Sequence, residues 1–276
     1  MNKFVISLIH YLWLGFSGLG AVMQIKMIFA VQVFFLMFSP AVVAIDSLPL
    51  AIQAFEKQGM HIVGRFDAPN GMQGYAAEYQ KQGITLYASR DGKFVFNGYL
   101  YDKFGKNLSL EPLNELVYTP MAKQVWSRLE KSTWIADGES NAARVVYMFT
   151  DPNCPYCHQF WQQARPWVDS GKVQIRHIMV GIISHDSPAK AAALLNTNNP
   201  SEALRIFEES KGKNSKLLDP IPVVIQRKLD ENQLIMDSVD AVATPTLLYF
   251  DDTGHLQQQQ GMPKPDELNQ ILGKLN

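Results

Sequence analysis

The chain has 276 residues, 47% of them hydrophobic and 18% charged, with 25 lysines and arginines against 26 acids for a net charge of −1. This composition excludes a disordered or collagen-like chain, and without a basic surplus there is no electrostatic case for a nucleic-acid partner. The only two cysteines, Cys154 and Cys157, are too few for a disulfide-stapled scaffold or a four-cysteine zinc site.

In chain order, the first feature is an export segment. Residues 1–44 hold no acid and only two lysines, Lys3 and Lys26, so the remainder carries a net charge of −3. Lys26 heads the apolar run from Ile28 to Phe38, Ser39-Pro40 breaks it, and Val42-Val43-Ala44 offers small residues for cleavage before Ile45. This is a signal peptide over 1–44. The earlier run from Phe4 to Met23 is long enough to span a bilayer but leaves almost no loop before the next. We read the true start as Met23 or Met27, with an uncleaved membrane anchor as the alternative. An exported chain meets an oxidising compartment, where a lone cysteine pair can form a disulfide.

Leu48, Leu50, Ile52 and Phe55 predict a short amphipathic helix that Gly59 stops. The apolar period then changes to two. Ile62 and Phe66 fit one strand and Tyr75, Ala77 and Tyr79 a second. Ile84 and Leu86, then Phe94 and Phe96, fit two more across the turn Ser89-Arg90-Asp91-Gly92. So few elements make a marginal core alone, and such a sheet is completed either by a second copy at an exposed edge or by packing on the larger domain. Thr119-Pro120 predicts a helix start, with Val125, Trp126 and Leu129 on its apolar side down to Lys131. Ala143 to Phe149 reads as a buried strand. A helix from Pro155 to Ser170 and a strand from Val173 to Val180 follow, then helical stretches near 187–196, 201–210 and 221–237. The pattern closes on a strand from Thr246 to Phe250, a polar strand from Leu256 to Gln260 and a helix from Pro265.

The chemistry lies where the buried strand meets the first of these later helices, in Asp151-Pro152-Asn153-Cys154-Pro155-Tyr156-Cys157. At a helix N-terminus, unpaired N–H groups and the helix dipole favour a negative sulfur. Pro155, at the first helical position, has no N–H to leave unpaired. Tyr156 completes the dipeptide, and the spacing brings both sulfurs within bonding reach. Cys154 can attack a substrate disulfide as a thiolate, and Cys157 can resolve the mixed disulfide. Three other readings use the same residues. A structural disulfide across so short a loop contributes little. A zinc site would have to recruit His158, His177, His185 or His255, none at finger-like spacing. Cys154-Pro-Tyr-Cys157-His158 also spells the c-type haem attachment motif, although a motif that caps a buried strand is not the mostly helical haem setting. Thr244-Pro245, which opens a later strand, is by itself a strand start.

Taken together, the stretch from Tyr147 to Val180 with its DPNCPYCHQFWQQARPWVDSGKVQIR run, Thr244-Pro245, and AIQAFEKQGMHIVGRFDAPNGMQGY near the start resemble the DsbC/DsbG group of periplasmic thiol:disulfide interchange proteins, and its DsbG branch most closely. The resemblance covers nearly all of residues 45–276. It implies an α+β cystatin-like dimerisation domain over 45–107, a linker helix over 108–138, and an α/β thioredoxin fold with a helical insertion over 139–276. It further implies a homodimer, with Pro245 as a cis-proline beside the redox pair and Thr244 shaping the substrate groove. The implied activities are isomerase, reductase (sulfenic acids included) and chaperone. A membrane electron donor of the DsbD type would keep the pair reduced, protein substrates with disulfides or oxidised cysteines would be the clients, and no cofactor beyond the Cys154–Cys157 disulfide would be needed. A disulfide-donating oxidase is the alternative within the same family space. Two departures stand out. His158 replaces the lysine of near relatives, and Met148 occupies the place of thioredoxin's buried acid.

Overall fold

The computed structural model describes residues 48–275. The signal segment, its cleavage site and the starts at Met23 and Met27 lie outside the described residues.

The first sheet is an antiparallel meander, β1 (His61–Asp67), β2 (Gln73–Tyr79), β3 (Gln82–Ala88) and β4 (Val95–Asn97), paired in that order. A helix, α1 (Leu50–Glu56), precedes it and ends before Gly59, whose φ of +92° suits glycine. Phe94 falls outside β4, which spans only three residues and stays exposed. Its aromatic periodicity therefore marks a surface rather than a core strand.

The connecting helix starts earlier than Thr119-Pro120. α2 (Leu110–Leu113), a π-turn over Asn114–Tyr118, and α3 (Thr119–Lys131) run on without a break, with Thr119 itself helical at φ −65° and ψ −46°. Proline lacks the N–H that would bond back one turn, so Pro120 loosens the ladder into a π-turn instead of opening a helix. Leu113, Val117 and Leu116 lay this helix against Ala76, Val63 and Phe66 of the meander. The segment 108–138 is not helical throughout: after Ser132 it extends into β5 (Trp134–Asp137), an edge strand of the second sheet.

That sheet has the order β5-β7-β6-β8-β9, with β6 (Arg144–Thr150), β7 (Val173–Met179), β8 (Thr246–Phe250) and β9 (Leu256–Gln260). β6 and β7 are parallel and the other neighbours antiparallel. α4 (Pro155–Asp169) is the crossover between the parallel pair. β6 is buried on both sides, which explains its unbroken apolar run. Val146 and Met148 meet Phe160 and Ala164 of α4 and Ile271 of α8 (Leu268–Leu272), a helix that starts three residues after Pro265 because 265–267 form a turn. Tyr147 and Phe149 face Leu129 of α3 and Met236 of α7 (Val223–Ser238). The insertion adds α5 (Ser187–Leu195) and α6 (Pro200–Glu209), and with α7 these pack Ala191, Leu204, Phe207 and Leu229 in one cluster with Ile135 of β5 and Met179 of β7. Among the described residues, no helix is long and apolar enough to cross a membrane.

Candidate active site

Cys154 is the N-cap of α4, in extended conformation at φ −81° and ψ 111°, with Pro155 at the first helical position. Its sulfur accepts from the Cys157 backbone N–H at 3.3 Å, and its thiol donates to the Thr244 carbonyl at 3.2 Å. Thr244-Pro245 is a cis peptide, and it brings the start of β8 against the start of α4, 90 residues away in sequence. The Thr244 hydroxyl is buried with no partner among the described residues. Tyr156 of the dipeptide is exposed. All six residues expected at the site lie on or beside this junction.

The two sulfurs differ. Both thiols are unlinked, with Cys154 4% exposed and Cys157 1% exposed. The Cys157 thiol donating to it brings Cys154 down to about 6, with Thr244 and the backbone N–H groups of Cys157 and Tyr156 adding to this against the effect of burial. Burial in the core, reinforced by the neighbouring Cys154, pushes Cys157 well above the ordinary cysteine value. At neutral pH the pair therefore offers one thiolate nucleophile and one retained thiol.

A polar scaffold that the cysteine motif does not announce holds this turn. The buried Asp151 carboxylate accepts from the Asn153 N–H at 2.8 Å, the Ser187 hydroxyl at 2.8 Å, and the N–H groups of Ile182 and Ile183 at 2.7 and 3.0 Å. Gly181 makes the last two possible, since a Cβ there would lie 2.7 Å from Pro188. Asn153 donates to Asp186 and Ser187 at 2.9 and 2.8 Å and accepts from Lys190 at 2.7 Å. The motif turn is thus tied to the first turn of α5. Asp151 and Asn153 flank the cysteines in sequence, so their proximity was readable, but their partners were not. His158 meets Glu208 of α6. Met148 is fully buried in the cluster that holds both cysteines. His177 is buried against Thr150, and His185 and His255 join no group of three or more potential metal ligands among the described residues.

A family model described as a thioredoxin-like domain matches residues 135–276, and one described as the disulfide bond isomerase protein N-terminal domain matches 48–110. The thiol:disulfide interchange protein DsbG of Pseudomonas aeruginosa is 54% identical over 83% of this chain and 90% of its own length. That of Escherichia coli is 44% identical over 85% and 95%. A solved structure of Helicobacter pylori DsbG aligns at a TM-score of 0.42 and 17% identity, covering 72% of this chain and 99% of that one. The match to the first two, over most of each chain, places this thiol–disulfide oxidoreductase in the DsbC/DsbG family of thiol:disulfide interchange proteins.

Proposed function

We propose that the chain works in the periplasm as a homodimeric disulfide isomerase and reductase, sulfenic acids among its substrates, with chaperone activity beside the redox work. The observation that carries this reading is the asymmetry of the pair, with Cys154 at about 6 and Cys157 pushed well above its ordinary value. The Cys154 thiolate attacks a substrate sulfur, the substrate S–S bond breaks, and the departing thiolate takes a proton from water. If a second substrate thiolate resolves the mixed disulfide, Cys154 returns reduced and the substrate is isomerised. If Cys157 gives up its proton and resolves it, the substrate leaves reduced and Cys154–Cys157 carries the two-electron oxidation. With a sulfenic acid the first step displaces hydroxide, which leaves as water after protonation. The Thr244 carbonyl and the cis-Pro245 turn flank the sulfur, where an extended substrate segment would lie.

The redox pair then needs a two-electron donor, for which a membrane protein of the DsbD type is the partner, and no further cofactor. A covalent haem fits poorly, because Cys157 is 1% exposed, in a cluster with Met148, Phe160 and Val146. The oxidase is the second reading, and it has a specific observation behind it: a stabilised Cys154 thiolate favours the dithiol, which makes the disulfide form a good oxidant. The test is the thiol state in cells. Acid-quenched cells are labelled with a high-mass maleimide, with and without prior reduction. Two labels without reductant are expected. Labelling only after reductant would replace the isomerase with the oxidase, and no labelling in either lane would favour haem attachment.

A further inference from the structure

The exchange steps leave one polar pair beside the nucleophile, a buried carboxylate and a partly buried imidazole, without a task. Glu208, in the last turn of α6, is 2% exposed. A carboxylate so placed needs a partner, and it has His158, whose Nδ1 lies 2.7 Å from its Oε2. His158 follows Cys157 on the first turn of α4, and its N–H bonds to the Cys154 carbonyl at 3.3 Å. The imidazole stacks on Trp161, at 6.3 Å and 17° between rings, and the Arg165 guanidinium lies 4.1 Å from the Trp161 ring. His158 Nε2 is buried with no partner among the described residues. His158, Glu208 and Cys154 together line a cavity of about 380 Å³.

The other ionisable groups around that cavity are Asp151, Lys190 and Lys211. The Asp151 carboxylate is taken up by its four hydrogen bonds, and Lys190 pairs with Asp186 at 2.8 Å. Lys211 lies on the exposed turn after α6. The ionisable pair that remains at this cavity is therefore His158–Glu208, with Nδ1 and Oε2 2.7 Å apart.

We propose that His158 is a positioning residue for thiol–disulfide exchange: clasped to Glu208, it holds the insertion helix α6 against the active-site helix and cancels the carboxylate's charge at Cys154. With the imidazole protonated the pair is neutral; without that proton it is negative and opposes the thiolate. The inference deepens the proposed function and rests on Cys154 being the attacking thiol.

The test is the ultraviolet thiolate titration of the reduced full chain and of four variants. H158Q keeps an amide donor for Glu208 but no proton to lend, so its Cys154 midpoint should rise by about half a pH unit or more, roughly threefold in the thiol-to-thiolate ratio. E208Q leaves no carboxylate charge to cancel, so its midpoint should not rise above that of the native chain, and H158Q/E208Q should fall below H158Q alone. A merely structural tie would leave the midpoint where it is in H158Q. An H158Q midpoint that is unchanged or lower overturns the proposal; if H158Q does not fold, an E208Q midpoint above that of the native chain does so. C154S separates the two levels of inference. A titrating band that survives in C154S overturns the nucleophile assignment itself, whereas a band lost in C154S but unmoved by the other variants overturns only the role of His158.

Discussion

At the scale of single residues, the site works by making two chemically identical side chains unequal. Cys154 sits where the hydrogen bonds of a helix start and of its own partner converge, while Cys157, one turn on, sits in the core. The consequence can be measured through pH. A folded-state value of about 6 for Cys154, against an ordinary value near 9, leaves it about nine-tenths thiolate at pH 7. Alkylation of the reduced protein should follow a single midpoint near pH 6, with Cys157 unlabelled until the chain unfolds. The same shift contributes to stability with a definite sign. Because folding depresses the value, the contribution is complete above about pH 9, shrinks as pH falls, and is gone below about pH 6. The urea midpoint of the reduced native chain relative to C154S should therefore widen between pH 6 and 9. A constant difference across that window would show that the thiolate is not stabilised by the fold.

At the scale of elements, a buried polar side chain joins the insertion to the sheet beside the apolar contacts of Ile135, Met179 and Met236. Asn232 on α7 is fully buried; it accepts from the Thr133 N–H at 3.1 Å and donates to the Thr133 and Met179 carbonyls, both at 2.9 Å. It thereby satisfies the backbone at the start of β5 and the end of β7, the strand that leads into the loop capped by Asp151. Asn232→Ala leaves one donor and two acceptors buried without partners, and a loss of about 2–4 kcal/mol is expected in a urea melt. A loss under about 1 kcal/mol would mean that water replaces the amide. Such residues also mark the limit of what the sequence discloses. Continuous or alternating apolar runs make β1 to β3 and β6 to β8 readable, and an amphipathic period does the same for α4 and the insertion helices, because burial imposes those patterns locally. The strand Trp134–Asp137 escapes because four residues are too few to show a period, and the helix before Thr119 is hidden locally because Pro112 and Pro120 mimic its boundaries, so only the family resemblance places a helix there. Cys154, Pro155 and Cys157 are legible from the motif and its strand-to-helix placement. The pairing of Thr244-Pro245 with them came from the family resemblance, since nothing local in that strand points to a sulfur 90 residues away. Asp151, Ser187 and Glu208 reach their partners only through the tertiary fold, and a polar residue buried that way leaves no periodic trace.

At the scale of the whole molecule, the chemistry and the unfinished surface lie in different halves. Every residue of the site comes from the turn between β6 and α4, α4 itself, the loop after β7, the insertion and the turn before β8, whereas the exposed aromatics gather on and around the edge strand β4: Phe94 is 73% exposed and Phe104 82%, with Phe96, Tyr99 and Tyr101 between them. A short edge strand that carries so much apolar surface is a place for a second chain to pair, and a second copy is the partner that the family membership favours. The two halves of one chain are joined by the helix that ends in α3 and by the Lys81–Asp240 ion pair at 2.7 Å, both Lys81 and Asp240 having positive φ. That ion pair is solvent-exposed, so the helix carries most of the connection. The full chain should therefore sediment as a dimer at micromolar concentration, and a charge placed within the aromatic edge, as in Phe96→Lys with Tyr101→Lys, should shift it to the monomer. The site owes nothing to that edge, so the monomer should still reduce a small disulfide at close to the native rate per cysteine pair. A native chain that sediments as a monomer would remove the dimer from the proposed function. A monomeric variant that loses small-disulfide reduction would mean instead that the edge supports the active site, contrary to the separation of the two halves drawn from the fold.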